Sequence, residues 1–140
     1  MRLLITTLLL MAMAVPAFAQ DKPPEAPAEK KAEEPKMSED GAKLFADVKV
    51  VYAKYYEIIL AKAKSNEEYK ADEVWDAAVK EAKDENGNPK FKDRTVFHDA
   101  VSKMKAKDRI FRKEVNELVT NHAKEFAEAV RKHAEEKDGN

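Results

Sequence analysis

Cysteine is absent from the chain, and glycine occurs at only three of its 140 positions. The lack of cysteine excludes disulfides, thiolate metal ligands, a cysteine nucleophile, a lipid-anchored lipoprotein and the Cys-x-x-Cys-His motif of covalent haem attachment. The scarcity of glycine excludes a glycine-rich phosphate-binding loop. Stability must therefore come from the burial of apolar side chains.

Proline is almost confined to the first 35 residues, and Pro89 is the one proline beyond them. Residues 20–37 contain four prolines, many charges, no aromatic residue and a single sizeable apolar side chain, Met37. Such a segment buries too little apolar surface to offset the entropy lost on ordering it. We therefore predict a disordered tether over residues 20–37.

The first 19 residues have the three parts of a secretory signal in the correct order. Arg2 supplies a positive charge, residues 3–15 form an apolar run, and residues 17–19 read Ala-Phe-Ala, a small-x-small cleavage site. The apolar run is shorter than the roughly 20 residues that a membrane-spanning helix needs. We predict a cleaved signal peptide over residues 1–19 and an exported protein of the bacterial periplasm or extracellular medium. An uncleaved membrane anchor is the alternative.

Positive and negative charges nearly balance, with 26 basic and 27 acidic side chains. Cleavage of the signal peptide removes only one of these, Arg2, and leaves a net charge of −2. Proteins that bind nucleic acid in general usually carry a marked basic excess, so the composition argues against a nucleic-acid partner. The remaining length is sufficient for one domain.

Residues 38–136 are predicted to form an all-α domain, because apolar residues recur there at spacings of three and four. The first helix is predicted over residues 41–64, with Ser38 or Asp40 as its N-cap. Its apolar stripe comprises Leu44, Val48, Val51, Tyr55 and Ile58, widened by Phe45, Tyr52, Tyr56 and Ile59.

A second helix is predicted to start at Ser65, where Ser-Asn-Glu-Glu fits a capping box and the apolar register shifts. One continuous helix through Ser65 is the alternative. The sequence DENGNP over residues 84–89 predicts a turn at the end of this helix. The stripe of the second helix comprises Ala71, Trp75, Ala78 and Ala82.

A third helical stretch is predicted from Asp93 or Arg94 onward, since neither glycine nor proline occurs between Arg94 and Asp138. It is either one helix of about 40 residues or two helices that divide near residues 105–108, with Asp108 as the new N-cap. Both alternatives give an antiparallel bundle of three or four helices, with a frayed C-terminus over residues 137–140. The stripe comprises Phe97, Val101, Met104, Phe111, Val115 and Leu118, extended by His122 and Ala129. The predicted core aromatics are Phe45, Tyr52, Tyr55, Trp75, Phe97, Phe111 and Phe126.

Little in the sequence favours catalysis or metal binding. The only histidines are His98, His122 and His133; the last two share a helix face but lie about 16 Å apart along its axis, too far to bind one metal ion. No Glu-x-x-His pair of a di-metal bundle occurs, and no Gly-x-Ser-x-Gly elbow surrounds a serine. We predict no catalytic residue, no cofactor and no native metal site, and therefore not an enzyme.

Two groups of residues are candidate binding sites. The first is a basic run over residues 103–113, in which four cations fall within a helical sector of about 100° and Ile110 is a candidate exposed apolar anchor. A solvated surface with no partner is the alternative reading of this run. The second group would bind a ligand in the bundle interior. The partner-binding candidates are Lys105, Arg109, Ile110, Arg112 and Lys113, and the ligand-binding candidates are Tyr55, Trp75 and His122.

The leading functional hypothesis is a non-enzymatic exported protein that binds another macromolecule of the cell envelope through a helical surface. That partner is an envelope protein or an anionic component such as phospholipid head groups or lipopolysaccharide. The alternatives are a carrier of a small ligand or metal and a purely structural envelope protein. No transmembrane segment is expected after signal cleavage, and the sequence leaves the oligomeric state open.

Overall fold

The computed structural model describes residues 34–139, so the predicted signal peptide and most of the predicted tether lie outside the described residues. The chain divides into two units, Met1–Pro35 and Lys36–Asn140. The described part is all-α, as predicted: about three quarters of its residues are helical, and it contains no strand. Its helices are α1 (Glu39–Lys64), α2 (Ala71–Val79), α3 (Arg94–Lys107) and α4 (Arg109–Asp138).

The start of α1 follows from a side-chain cap. Ser38 is the N-cap, and its Oγ accepts a hydrogen bond from the Gly41 N–H at 3.0 Å. This bond satisfies one of the backbone donors that the start of a helix leaves unpaired. The predicted apolar face is turned inward, with Val48 and Val51 completely buried. Met37, predicted as the last tether residue, packs against the core.

The end of α1 corrects the capping box that the sequence predicted at Ser65. Ser65 is the C-cap of α1, and Asn66 has a left-handed backbone with φ 53°. The Asn66 N–H donates to the Ala63 carbonyl at 3.3 Å. The Glu67 N–H donates to the Lys62 carbonyl at 2.9 Å, which completes a Schellman motif. Asparagine tolerates this backbone region better than most residues, so the segment ends α1, and α2 starts six residues further on.

The α2 helix ends at Val79 and is therefore shorter than predicted. The predicted DENGNP turn is present further on. Asp84 Oδ1 accepts hydrogen bonds from the N–H groups of Asn86 and Asn88, both at 2.9 Å, and Gly87 has φ 81°. Aspartate and asparagine favour turns through such local bonds, and glycine adopts positive φ at little cost.

The third helical stretch is two helices, which confirms the alternative in which Asp108 is a new N-cap. Asp108 has an extended backbone, with φ −120° and ψ 104°. Its Oδ1 accepts hydrogen bonds from the N–H groups of Ile110 and Phe111, both at 3.0 Å. The Asp108 N–H donates to the Met104 carbonyl at 2.8 Å, at the end of α3. One residue therefore makes a corner within an uninterrupted helical pattern.

The core is built from the inward faces of the four helices. Among the predicted core aromatics, Phe97 and Phe111 are completely buried. Phe126 is half-buried and contacts Tyr56 instead. The remaining four, which are partly buried and pack against the core, are Phe45, Tyr52, Tyr55 and Trp75. The buried cluster comprises Val48, Val51, Ala78, Val79, Ala82, Phe97, Val101, Met104, Phe111 and Val115.

The two long helices, α1 and α4, run parallel, and this pair departs from the predicted antiparallel arrangement. The chain returns from the end of α1 to its beginning through α2 and α3, so α4 starts at the same end as α1. The contacts that establish the direction join Ser38 to Asp108, Phe45 to Phe111, Tyr56 to His122, and Lys64 to His133. The α4 helix extends to Asp138, two residues beyond the predicted end of the domain.

Candidate functional site

A row of cations and amides along the exposed side of α4, flanked by Lys105 of α3, is named here the basic face. The Lys105 Nζ lies 3.3 Å from the Asn116 Oδ1, which places Lys105 at the edge of this row. Four of the five residues predicted for partner binding therefore share one surface. The α4 residues that line the basic face, all of them exposed, are Arg109, Arg112, Lys113, Asn116, Glu117, Thr120, Asn121 and Lys124.

The orientation of the basic face is fixed by the apolar stripe on the opposite side of α4. Phe111 and Val115 are completely buried. At about 100° per residue, Arg109 and Lys113 point away from that buried side. Burial of the stripe against the rest of the domain therefore holds the cations in solvent.

The arginines of the basic face are not neutralised by neighbouring carboxylates in the part of the chain that the structure describes. Arg109 and Arg112 form no ion pair with any of residues 34–139. Lys113 has Glu117 at 3.8 Å, with both side chains more than half exposed. An exposed ion pair at this distance contributes little to stability. One glutamate also cannot cancel the charge of the several cations around it, so the face keeps a net positive charge.

Ile110 does not belong to the basic face. It is half-buried and borders a second groove, at the start of the two long helices, together with Lys36 and Lys107. Ile110 is therefore half-buried where the sequence predicted an exposed side chain, and its role in partner binding stays a prediction. The α4 residues that line the basic face are all charged, amide or hydroxyl residues.

A single carboxylate joins the starts of α1 and α4, and so determines where the basic face begins. While Oδ1 of Asp108 caps α4, its Oδ2 accepts hydrogen bonds from the Ser38 N–H at 2.9 Å and from the Ser38 hydroxyl at 2.7 Å. These hydrogen bonds hold the pKa of Asp108 at about 2, below its usual 3.8. The bond from the Phe111 N–H has the largest effect, and the two bonds from Ser38 come next. The first cation of α4, Arg109, follows this junction directly.

Replacing Gly41 with alanine is expected to destabilise the protein by about 1–3 kcal/mol. An added Cβ would lie 2.6 Å from Asp108 Oδ2 and 2.8 Å from Ser38 Oγ, both held by hydrogen bonds. In most helix positions the same change stabilises by about 1 kcal/mol, so the expected sign is reversed here. Urea unfolding measures the change. Gly139→Ala is the control, because its Cβ would meet no described atom nearer than 3.5 Å; a gain at Gly41 would contradict the close approach.

The residues predicted to bind a ligand lie along a series of packed rings. Tyr55 stacks on Trp75 with ring centroids 4.1 Å apart. His122 stacks on Tyr56 at 5.1 Å, and the two tyrosines meet edge to face at 5.4 Å. The predicted residues are thus connected through Tyr56, and the stacked rings leave no gap for a ligand between Tyr55 and Trp75 or between Tyr56 and His122. This geometry gives the carrier alternative no support.

The histidines are engaged in separate structural contacts. His122 is stacked as described, and the His133 Nε2 lies 3.1 Å from the Lys64 carbonyl. Partial burial lowers the pKa of His98, and the charge of Arg94 lowers it further. Within residues 34–139, no three histidine, aspartate or glutamate side chains are grouped so that they could hold a metal ion.

Comparison of the chain with known protein families, with curated proteins and with solved structures gives no match. Among the described helices, none is long and apolar enough to cross a bilayer. Functional proposals for this chain therefore rest on its own residues and their geometry.

The far half of the basic face was missed by sequence reasoning. The dense basic run ends at Lys113, so charge density alone does not indicate that the face continues. Asn116, Thr120 and Lys124 follow Arg109 at intervals of 7, 11 and 15 residues, which place them on one side of a helix. Helical periodicity counted from Arg109 would have found them.

Proposed function

We propose that this chain is an exported, non-enzymatic helical protein that binds an anionic component of the bacterial cell envelope through its basic face. The observation that supports this most directly is the excess of cations on one exposed side of the domain. A local field of this kind attracts anions even when the net charge of the protein is close to zero. The five cations are Lys105, Arg109, Arg112, Lys113 and Lys124, with Glu117 as the one carboxylate among the lining residues.

The export part of the proposal rests on the signal-peptide pattern of residues 1–19. Cleavage after Ala19 would release a chain that begins with the proline-rich segment of residues 20–37. An extended segment of that length spans at most about 55 Å. The helical domain would therefore work at some distance from whatever holds its N-terminus.

A non-catalytic role is proposed because the groups best suited to nucleophilic or acid–base chemistry are engaged in structural contacts. The Ser38 hydroxyl and the Asp108 carboxylate bind each other and cap two helices. Ser65 ends α1, and His122 is stacked on Tyr56. These contacts support a surface-binding function over a reaction.

Charge reversal on the basic face is expected to abolish binding to the envelope. We predict that the variant with Lys105, Arg109 and Arg112 all changed to glutamate co-sediments with isolated envelope membranes at least about tenfold more weakly than the unaltered protein, since it replaces attraction with repulsion. The measurement is the bound fraction against membrane concentration, at low ionic strength to limit screening.

The matched control changes Lys64, Lys80 and Lys92 to glutamate. These three residues are exposed and lie elsewhere on the domain, and their replacement alters the net charge by the same amount. We expect this variant to bind within about twofold of the unaltered protein, since local charge and not net charge governs the contact. Equal loss in both variants, or equal retention, would contradict a role for the basic face and would leave the purely structural alternative.

A further inference from the structure

We infer that the anionic component is a phospholipid surface, on which the protein lies with α4 parallel to the plane of the head groups. This inference rests on the proposed function and specifies its partner. It follows from three properties of the basic face: its course along a single helix, its lack of apolar residues, and the donors that it offers.

The basic face extends along one helix. From Arg109 to Lys124 it covers 16 residues of α4, and the 15 steps between the first and the last span about 22 Å at the helical rise. Arg109, Lys113, Asn116, Thr120 and Lys124 follow one line along the helix surface, since their spacings repeat the helical period. A line of side chains on a convex helix can touch a flat surface at all of its points together.

The chemistry of the basic face distinguishes a lipid surface from an acidic protein. The centre of a protein–protein interface is usually anchored by aromatic or apolar side chains in a desolvated pocket. No such residue lines the basic face, and Ile110 is half-buried at the neighbouring groove. A partner held by charge and hydrogen bonds alone needs many anions at high density, and head groups of an anionic bilayer supply them.

The donors of the basic face suit phosphate oxygens. The planar guanidinium groups of Arg109 and Arg112 can each donate two parallel hydrogen bonds to one phosphate. The side-chain amides of Asn116 and Asn121 add neutral donors between the cations. The exposed side chains therefore offer charge and hydrogen bonds over the whole length of the row.

Beyond Lys124 the surface of α4 changes character, which defines the end of the row. There Lys132 pairs with Glu128 at 3.1 Å, and Arg131 pairs with Glu135 at 2.7 Å. Positive and negative side chains are paired in this part of α4, so it has no net attraction to an anionic lipid surface. Only the first half of α4 would lie on the head groups, and the protein would adopt one orientation.

The test measures binding of the mature protein to vesicles of phosphatidylcholine with and without phosphatidylglycerol, by sedimentation. We expect binding only to the anionic vesicles, and loss of that binding when salt rises to about 0.5 M. Reversing Lys105, Arg109 and Arg112 is expected to weaken partitioning about a hundredfold, while reversing Lys64, Lys80 and Lys92 changes it by less than about twofold. The fluorescence of Trp75 should not shift, because Trp75 packs against the core and the basic face inserts no apolar residue into the bilayer.

Several results would overturn the inference. Equal binding to neutral vesicles, or equal loss in the two reversed variants, would show that the basic face does not recognise lipid phosphate. Absence of binding to the phosphatidylglycerol vesicles, together with face-dependent binding to envelope membranes, would exclude phospholipid head groups and identify lipopolysaccharide or an acidic protein as the partner; the proposed function would then stand and the inference of a phospholipid surface would fail. If neither assay depends on the basic face, both are wrong.

Discussion

Phe111→Ala is expected to lower the free energy of unfolding by about 3–5 kcal/mol. The Phe111 side chain is completely buried and meets the ring of Phe45 edge to face, with centroids 6.3 Å apart. Removing it leaves a cavity that the close-packed neighbours cannot fill without strain. Since domains of this size are stable by only about 5–15 kcal/mol, the variant should be near the limit of folding. Urea unfolding followed by circular dichroism measures the change.

Phe126→Ala is the matched control for this experiment. It removes the same side chain from the same helix, but Phe126 is only half-buried and its ring contact is with Tyr56 at 6.2 Å. We expect a loss of about 1–2 kcal/mol, in proportion to the smaller apolar area that is exposed. Equal losses at the two positions would contradict the location of the core at the first half of α4.

The helices and their inward faces could be predicted from the sequence, because both depend on short-range spacing. The three-and-four period of apolar residues identified Val48 and Val51 in α1, and Phe97 and Phe111 in the later helices, as buried positions. The break at Asp108 was one of two open alternatives. Aspartate can cap a helix or stay on its surface, and the choice depends on neighbours distant in the sequence.

The parallel direction of α1 and α4 could not be predicted, because it depends on a contact between residues far apart in the chain. Ser38 and Asp108 are 70 positions apart and become hydrogen-bonded partners only when α2 and α3 return the chain to its starting end. The same limit applies to the candidate site. The charges of Arg109 and Lys113 were evident, whereas the partial burial of Ile110 depends on the packing around the start of α1.

Asp108→Asn is expected to lower the melting temperature by about 5–10 °C at neutral pH, and the deficit should shrink in acid. The side chain receives four hydrogen bonds, from the N–H groups of Ile110 and Phe111 and from two donors of Ser38. An asparagine at this position would place its amide N–H groups opposite the Ser38 donors. Two donors cannot form a hydrogen bond, so the bonds between Ser38 and residue 108 would be lost. Thermal unfolding at a series of pH values measures the difference from the unaltered protein.

The direction of the pH effect follows from the lowered pKa of Asp108, about 2 when folded against an ordinary value of 3.8. A carboxyl with a lowered folded pKa contributes stability above the ordinary value and loses it as the pH falls towards the folded value. The advantage over Asp108→Asn should therefore be full above about pH 5 and decline between about pH 4 and pH 2. Asp84 and Glu128 also have lowered pKa values, through the Asn88 N–H and Lys132 respectively. Both residues are present in the unaltered protein and in the Asp108→Asn variant, so their effects cancel in the difference.

Two controls separate the junction between α1 and α4 from ordinary helix capping. Asp93→Asn alters the N-cap of α3, whose side chain accepts one hydrogen bond, from the Val96 N–H, so we expect a smaller loss there. Ser38→Ala should cost less in the Asp108→Asn background than in the unaltered protein, because the two residues share hydrogen bonds and their effects are not additive. The cost of Ser38→Ala that remains in the Asp108→Asn background comes from the lost hydrogen bond between the Gly41 N–H and the Ser38 hydroxyl. Equal costs of Ser38→Ala in both backgrounds would mean that the two helices are capped independently and that the hydrogen bonds between Ser38 and Asp108 add nothing to stability.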